Sequence, residues 1–175
     1  LLRRRRHRER RRLLEEAVAE LKGETVASDF EVKLEVACDT FIPESYIEES
    51  RQRVDIYRKI ADAKTATELD AVVAELEDRF GKFGDETQNL IDLMALNITA
   101  RRLRINRVRL NAGKLTLSYG EGENPSKSQI EKLRMAAPDR LEFDSSHGFV
   151  IKTEFPDSEE RPIGAVRKLL LALAD

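Results

Sequence analysis

At 175 residues, with 41% hydrophobic and 37% charged residues, the chain is long enough to bury one core and holds no apolar run of the length that spans a bilayer. Its formal net charge of −2 hides an uneven distribution: residues 1–12 hold eight arginines against one glutamate, so this segment carries +7 and the rest carries −9. An acidic body repels phosphate, which argues against nucleic acid as its general partner and leaves the first dozen residues as the segment suited to DNA.

Leu1-Leu2 is followed by arginines rather than by the apolar core of a secretory signal, so a cytoplasmic protein is expected. From about Arg3 to Leu21 the residues favour helix, with one apolar face made by Leu13, Leu14, Ala17, Val18 and Leu21 before Gly23 stops it. Residues 1–24 are therefore read as a basic arm and linker helix, and residues 29–175 as the domain proper. From Phe30 to Cys38, Phe30, Val32, Leu34, Val36 and Cys38 alternate with Glu31, Lys33, Glu35 and Ala37, the period of a strand with one wet face. Cys38, the only cysteine, is expected to serve as a small apolar side chain; it supports neither a disulfide within the chain nor a multi-cysteine metal site.

Pro43 breaks the strand and three helices follow. The first, from about Ser50 to Ala63, is expected to present Val54, Tyr57, Ile60 and Ala61 to the core. The second is expected to be capped by Thr67 and to present Leu69, Val72, Val73, Leu76 and Phe80 before Gly81 ends it. The third, from about Asp85 to Arg104, is apolar nearly all round (Leu90, Ile91, Leu93, Met94, Leu96, Ile98, Leu103), which predicts a helix packed on several sides.

After Ile105 the period becomes two. Val108 and Leu110, then Leu115, Leu117 and Tyr119, flank Asn111-Ala112-Gly113-Lys114, a hairpin signal with a glycine available for positive φ. Ser126 or a neighbour is placed to cap a helix from about Lys127 to Ala136. A second hairpin sets Leu141 and Phe143 opposite Phe149, Ile151 and Phe155, and a final helix begins near Pro162 with Val166, Leu169, Leu170 and Leu173 on one face. The expectation is an α+β fold, a helical first half packed on a small, mainly antiparallel sheet built from two β-hairpins plus an N-terminal strand.

Little in the chain suggests catalysis. His7 sits in the arginine run and His147 in a turn at Ser145-Ser146-His147-Gly148, where adjacent residues do not aim at one reacting atom. The glycines of Gly120-Glu121-Gly122-Glu123 are interleaved with carboxylates and lack the lysine of a phosphate loop. Asn97 and Arg101 interrupt the apolar stripe of the third helix and are expected to find internal partners. Two charged features remain. Arg3, Arg4, Arg5, Arg6, Arg8, Arg10, Arg11 and Arg12 suit weak, salt-sensitive nucleic-acid contact, and fit a solvated helical extension equally well. Between Asp62 and Asp92, nine acidic residues face Lys64, Arg79 and Lys82. With its apolar residues inward, the second helix leaves Asp70 and Glu77 on one flank, Glu68 and Glu75 on the other and Asp78 outward, a negative surface or simply a solvated one.

The order Phe41-Ile42-Pro43, Tyr46-Ile47, Arg53, Tyr57-Arg58-Lys59-Ile60-Ala61, Glu68-Leu69, Glu75-Leu76, Asp78-Arg79-Phe80-Gly81, then Leu96, Ala100, Leu103 and Ile105, resembles the C-terminal domain of bacterial transcription-repair coupling factors. Leu13 to Gly23 resembles the helix that precedes that domain. Gly84 stands where the family usually carries Pro, Arg104 where a helix-ending Gly is usual, and the arginine run has no family counterpart. The resemblance implies a non-catalytic regulatory domain without cofactor or metal, belonging to a factor whose separate motor uses ATP and Mg2+. That motor translocates on double-stranded DNA and displaces stalled RNA polymerase. The domain is expected to mask the surface of a UvrB-like N-terminal module that recruits UvrA for nucleotide-excision repair, with Glu68, Asp70, Glu75, Glu77 and Asp78 as the partner interface. The alternative is a nucleic-acid-binding accessory module acting through the arginine run.

Overall fold

A computed structural model describes residues 30–120, 122–136, 141–144, 149–154 and 162–174. The arm and linker helix, His147 and Phe155 lie outside these residues. The described residues from Glu31 onward belong to one compact unit. Its elements run β1 (Lys33–Val36), α1 (Ser50–Asp62), α2 (Ala66–Phe80), α3 (Asp85–Arg102), β2 (Ile105–Asn111), β3 (Lys114–Tyr119), α4 (Lys127–Ala136), β4 (Glu142–Asp144), β5 (Val150–Glu154) and α5 (Pro162–Ala174). The strands form one sheet in the order β1-β2-β3-β5-β4, antiparallel throughout except that β1 pairs parallel to β2 with Leu34 opposite Val108. The α+β expectation holds, and so does the strand, strand, helix sequence made twice after Ile105.

Side-chain period explains the sheet. Ile105, Val108, Leu110, Leu115, Leu117, Tyr119 and Ile151 are buried on one face, while Arg109 and Lys152 stand exposed on the other. The turn between β2 and β3 has positive φ at both central residues, Ala112 at 47° and Gly113 at 74°, the twist that a two-residue hairpin requires. Ser126 does cap α4: its hydroxyl accepts from the Gln129 N–H while the Gln129 side chain accepts from the Ser126 N–H.

Two helical details differ from the sequence reading. In α1 the core side chains are Ile56 and Ile60; Val54 is 44% exposed and Ala61 is exposed. Ile56, Ile60 and Ala63 lie one turn apart, and Val54 falls on the opposite side of that stripe. The cap of α2 is Thr65 rather than Thr67. The Thr65 hydroxyl accepts from the Glu68 N–H at 3.2 Å, and the Glu68 carboxylate accepts from the N–H groups of Thr65 and Lys64. Thr65 has a glutamate three residues on, which completes the reciprocal box; Thr67 has an aspartate there. Gly81 ends α2 with φ 77°, a conformation costly for any side chain.

The helix α3 touches α1, α2, α5 and β2. Ile91 and Ala95 face the helical core of Ile42, Ile47, Ile56, Ile60, Leu69 and Leu76, and Leu96 and Ala100 are buried as well. Packing on several sides accounts for its nearly continuous apolar circumference. Asp92 of α3 is 2% exposed and pairs with Arg167 of α5 at 2.7 Å, with Gln88 donating to the same carboxylate oxygen at 3.1 Å. Removing one partner of a buried pair costs about 3–5 kcal/mol; with Arg167 32% exposed, the lower end applies. On α5, Ile163 joins Val166, Leu169, Leu170 and Leu173 in the core.

Leu103 caps the C-terminus of α3, and the next residue, Arg104, takes φ 60°. A side chain in this left-handed conformation costs about 1–2 kcal/mol. Arg104→Gly is therefore expected to raise stability by about 1 kcal/mol, seen as a higher denaturant midpoint at unchanged slope; an unchanged or lower midpoint would show that contacts of the arginine outweigh its backbone strain.

Candidate functional site

The segment leading into α1 is held by side chains, not by regular backbone pairing. The Tyr57 hydroxyl accepts from the Ile42 N–H at 2.7 Å, and the Tyr46 hydroxyl donates to the Gly81 carbonyl at 2.7 Å. Tyr46 also packs edge-on against Phe80 and Phe83. Arg53, with a side chain only 15% exposed, donates to the carbonyls of Ile47 and Glu48 and pairs with Glu44. These three residues thus fasten residues 41–48 to α1 and to the end of α2, each satisfying backbone groups that have no ladder partner.

That fastening fixes the orientation of α2 and divides its acidic residues. Glu68 is exposed but occupied by the capping box. Glu75 is half-buried and held by Lys59 of α1 through both oxygens, at 2.5 and 2.6 Å, and by Arg79 at 2.7 Å; Arg79 in turn lies 4.8 Å over the Phe80 ring. The hydrogen bonds from Lys59 and then Arg79 hold the Glu75 carboxyl below its ordinary range. Asp70, Glu77 and Asp78 are exposed and form no ion pair among the described residues. Asp92, counted in the acidic stretch by sequence, belongs to the interior. The negative surface therefore narrows to the flank of Asp70, Glu77 and Asp78.

Sequence reasoning treated Glu68 and Glu75 as equivalents of the other three. The signal it missed was local: the Thr65-x-x-Glu68 spacing for one, and the Glu75 to Arg79 spacing of one helical turn for the other. Arg101 is exposed in the last turn of α3, where a cation complements the helix dipole, and Asn97 is half-buried. Gly122 takes φ 82° in a turn closed by the Glu123 N–H on the Gly120 carbonyl at 3.0 Å. Among the described residues no group of three or more His, Cys, Asp or Glu side chains is placed to hold a metal ion, and no helix is long and apolar enough to cross a membrane. The arginine run lies outside the described residues.

The pattern of the TRCF domain matches residues 36–130. The chain belongs to the TRCF domain family. The transcription-repair-coupling factor of Escherichia coli is 30% identical over 145 residues, covering 75% of this chain and 12% of that protein. The corresponding protein of Bacillus subtilis is 30% identical over 110 residues, 62% of this chain and 9% of that protein. The chain thus spans about a tenth of the length of these relatives. A crystal structure of the C-terminal domain of transcription-repair coupling factor shares the fold, with a TM-score of 0.71 at 16% identity, covering 86% of this chain and 98% of that one. In this chain Tyr46, Arg53 and Tyr57 are structural fasteners. The two departures also become intelligible. Gly84 has φ −83°, close to the value proline imposes, and Arg104 occupies the left-handed position where glycine is the easier residue.

The division of carboxylates makes reversals unequal. Glu68→Lys is expected to cost about 1 kcal/mol by removing the carboxylate half of the capping box while the Thr65 hydroxyl still accepts from the backbone N–H of residue 68, whereas Asp70→Lys should leave stability within about 0.5 kcal/mol, both read from urea unfolding. Because the Glu75 carboxyl is held low, its contribution is present above the ordinary carboxylate range and is lost as pH falls through its lowered value. Glu75→Gln should accordingly flatten part of the acid limb of the stability curve; the same limb in both proteins would mean that the bridge to α1 contributes nothing.

Proposed function

We propose that this chain is the non-catalytic, autoinhibitory domain of a transcription-repair coupling factor, covering the UvrA-recruiting surface of a UvrB-like N-terminal module in the same protein. The observation that carries this reading is the outward flank of Asp70, Glu77 and Asp78 on a rigidly braced α2, in a chain whose family is that of the TRCF domain. Three carboxylates without an ion-pair partner among the described residues suit a basic protein surface, and such pairing sets orientation and partner choice more than raw affinity.

The mechanism is steric cover held by electrostatics. α2 is fixed to α1 through Lys59 and to residues 41–48 through Tyr46, so its outer flank meets a partner without rearranging. Closed and open arrangements of the full-length protein would then be in equilibrium, and engagement of RNA polymerase by the ATP-driven motor on double-stranded DNA would favour the open one. Rim carboxylates of this kind make the closed state sensitive to ionic strength.

In the full-length factor, Asp70→Lys with Glu77→Lys is expected to raise UvrA binding without polymerase several-fold, while Glu75→Gln should raise it far less. Both variants are to be measured by pull-down at fixed salt, with folding checked by circular dichroism. If the double reversal folds normally and UvrA binding stays at the wild-type level, the flank is only a solvated face.

A further inference from the structure

The sheet is held unevenly at its β1 edge. β2 buries Ile105, Val108 and Leu110, and β3 buries Leu115, Leu117 and Tyr119, whereas none of the four residues of β1 is buried: Lys33 and Glu35 are exposed, Leu34 and Val36 half-buried. Among the described residues β1 is bonded to β2 alone, while β3 is bonded on both sides. Of residues 31–38 only Val32, just ahead of the strand, is buried. Few buried apolar contacts and a one-sided ladder are the marks of a segment that opens at low cost.

Charge weakens the pairing further. Lys33 stands directly opposite Arg107, and like charges so placed repel. Glu35 offsets that repulsion by pairing with Arg107 and Arg109, but all three side chains are at least 41% exposed, so the bridges contribute little and salt screens them. Past Cys38 the hold changes. The Asp39 carbonyl accepts from Asn89 at 3.2 Å, the Phe41 carbonyl accepts from Thr87 at 3.3 Å, and the Ile42 N–H donates to Tyr57 at 2.7 Å. Ile42 and Ile47 are buried in the helical core. The chain thus passes from a loosely held strand straight into a segment fastened to α1 and α3.

We propose that residues 31–38 form a releasable strap: β1 leaves β2 while the remainder of the domain stays folded, and the fasteners from Asp39 to Ile42 set where the release ends. Docked, the strap holds Lys33 against β2. Released, residue 31 ranges within roughly 28 Å of Asp39, the reach of about eight extended residues. The connection to the residues ahead of the domain lengthens accordingly, which changes the effective concentration of the domain at any surface joined to it through them. The strap is separate from the α2 flank and does not rest on the autoinhibitory reading.

Amide hydrogen exchange of the whole chain, followed residue by residue in 15N spectra, tests this. The amides that β1 donates to β2, and that of Ala37, which donates to the Leu110 carbonyl at 3.4 Å, are expected to be at least about tenfold less protected than those of β3. The Ile42 amide should stay protected with the core. Glu35→Lys removes both bridges and sets another cation beside Lys33, Arg107 and Arg109; it should lower β1 protection severalfold further and leave β3 and Ile42 unchanged. Lys33→Glu turns the like pair with Arg107 into an opposite one and should raise β1 protection. Equal protection of β1 and β3, loss of protection at Ile42 together with β1, or equal losses in β1 and β3 on Glu35→Lys would each overturn the proposal, as would β1 protection that neither substitution moves.

Discussion

The fold depends on α3 being buried on several sides at once. Its neighbours α1 and α2 precede it in the chain, while β2 and α5 follow it, so it is the shared wall between helical half and sheet half. A helix in that position needs apolar residues nearly all round and tolerates a charge only when it is paired inside. Asp92 is that charge, and Arg167 reaches it from the last helix. The pair therefore joins an element from the middle of the chain to its final one. An apolar pair of matched shape would contribute as much stability, but could be satisfied by sliding; a buried ion pair has one register, and here we take specificity to be its use.

Around this wall the remaining contacts fall into two kinds. Apolar burial supplies the bulk of the stabilisation, with Ile56, Leu76, Leu96, Ile105, Leu117 and Ile151 almost fully withdrawn from water. Polar fasteners supply direction. Arg53 and Tyr57 engage backbone carbonyls and an N–H of a segment that has no ladder of its own, and Tyr46, within that segment, engages the Gly81 carbonyl at the end of α2. Three of the residues that carry the family resemblance, Tyr46, Arg53 and Tyr57, thus hold an irregular segment in place, while the outward residues of α2 carry the proposed contact.

Much of the architecture was legible because side-chain period is a local property. The alternation of Val108, Leu110, Leu115, Leu117 and Tyr119 announced the first hairpin, and the α5 stripe was read correctly except for Ile163. What escaped were choices between neighbours of similar chemistry: Thr65 against Thr67 as a cap, Ile56 against Val54 as a core residue. Such choices are settled by the phase of the helix relative to its neighbours, which composition does not carry. The acidic stretch is less uniform than its count of charges for the same reason. Counting charge along the chain cannot separate Glu68, engaged with backbone, or Asp92, engaged in the interior, from Asp70, Glu77 and Asp78. The parallel pairing of β1 with β2 was also invisible, since alternation gives a strand a face but not a direction.

That pairing has a kinetic side. Glu35 and its partner Arg109 are 74 residues apart in sequence, whereas β2 and β3 are joined by a two-residue turn and each helix closes on itself. Contacts so distant add loop-closure entropy to the search and are made after local ones. Among the described residues β1 is also an edge strand, four residues long and bonded on one side only. It is therefore the part of the sheet expected to zip up last during folding, and tension transmitted through the polypeptide ahead of Lys33 would act on it before it acted on any other strand.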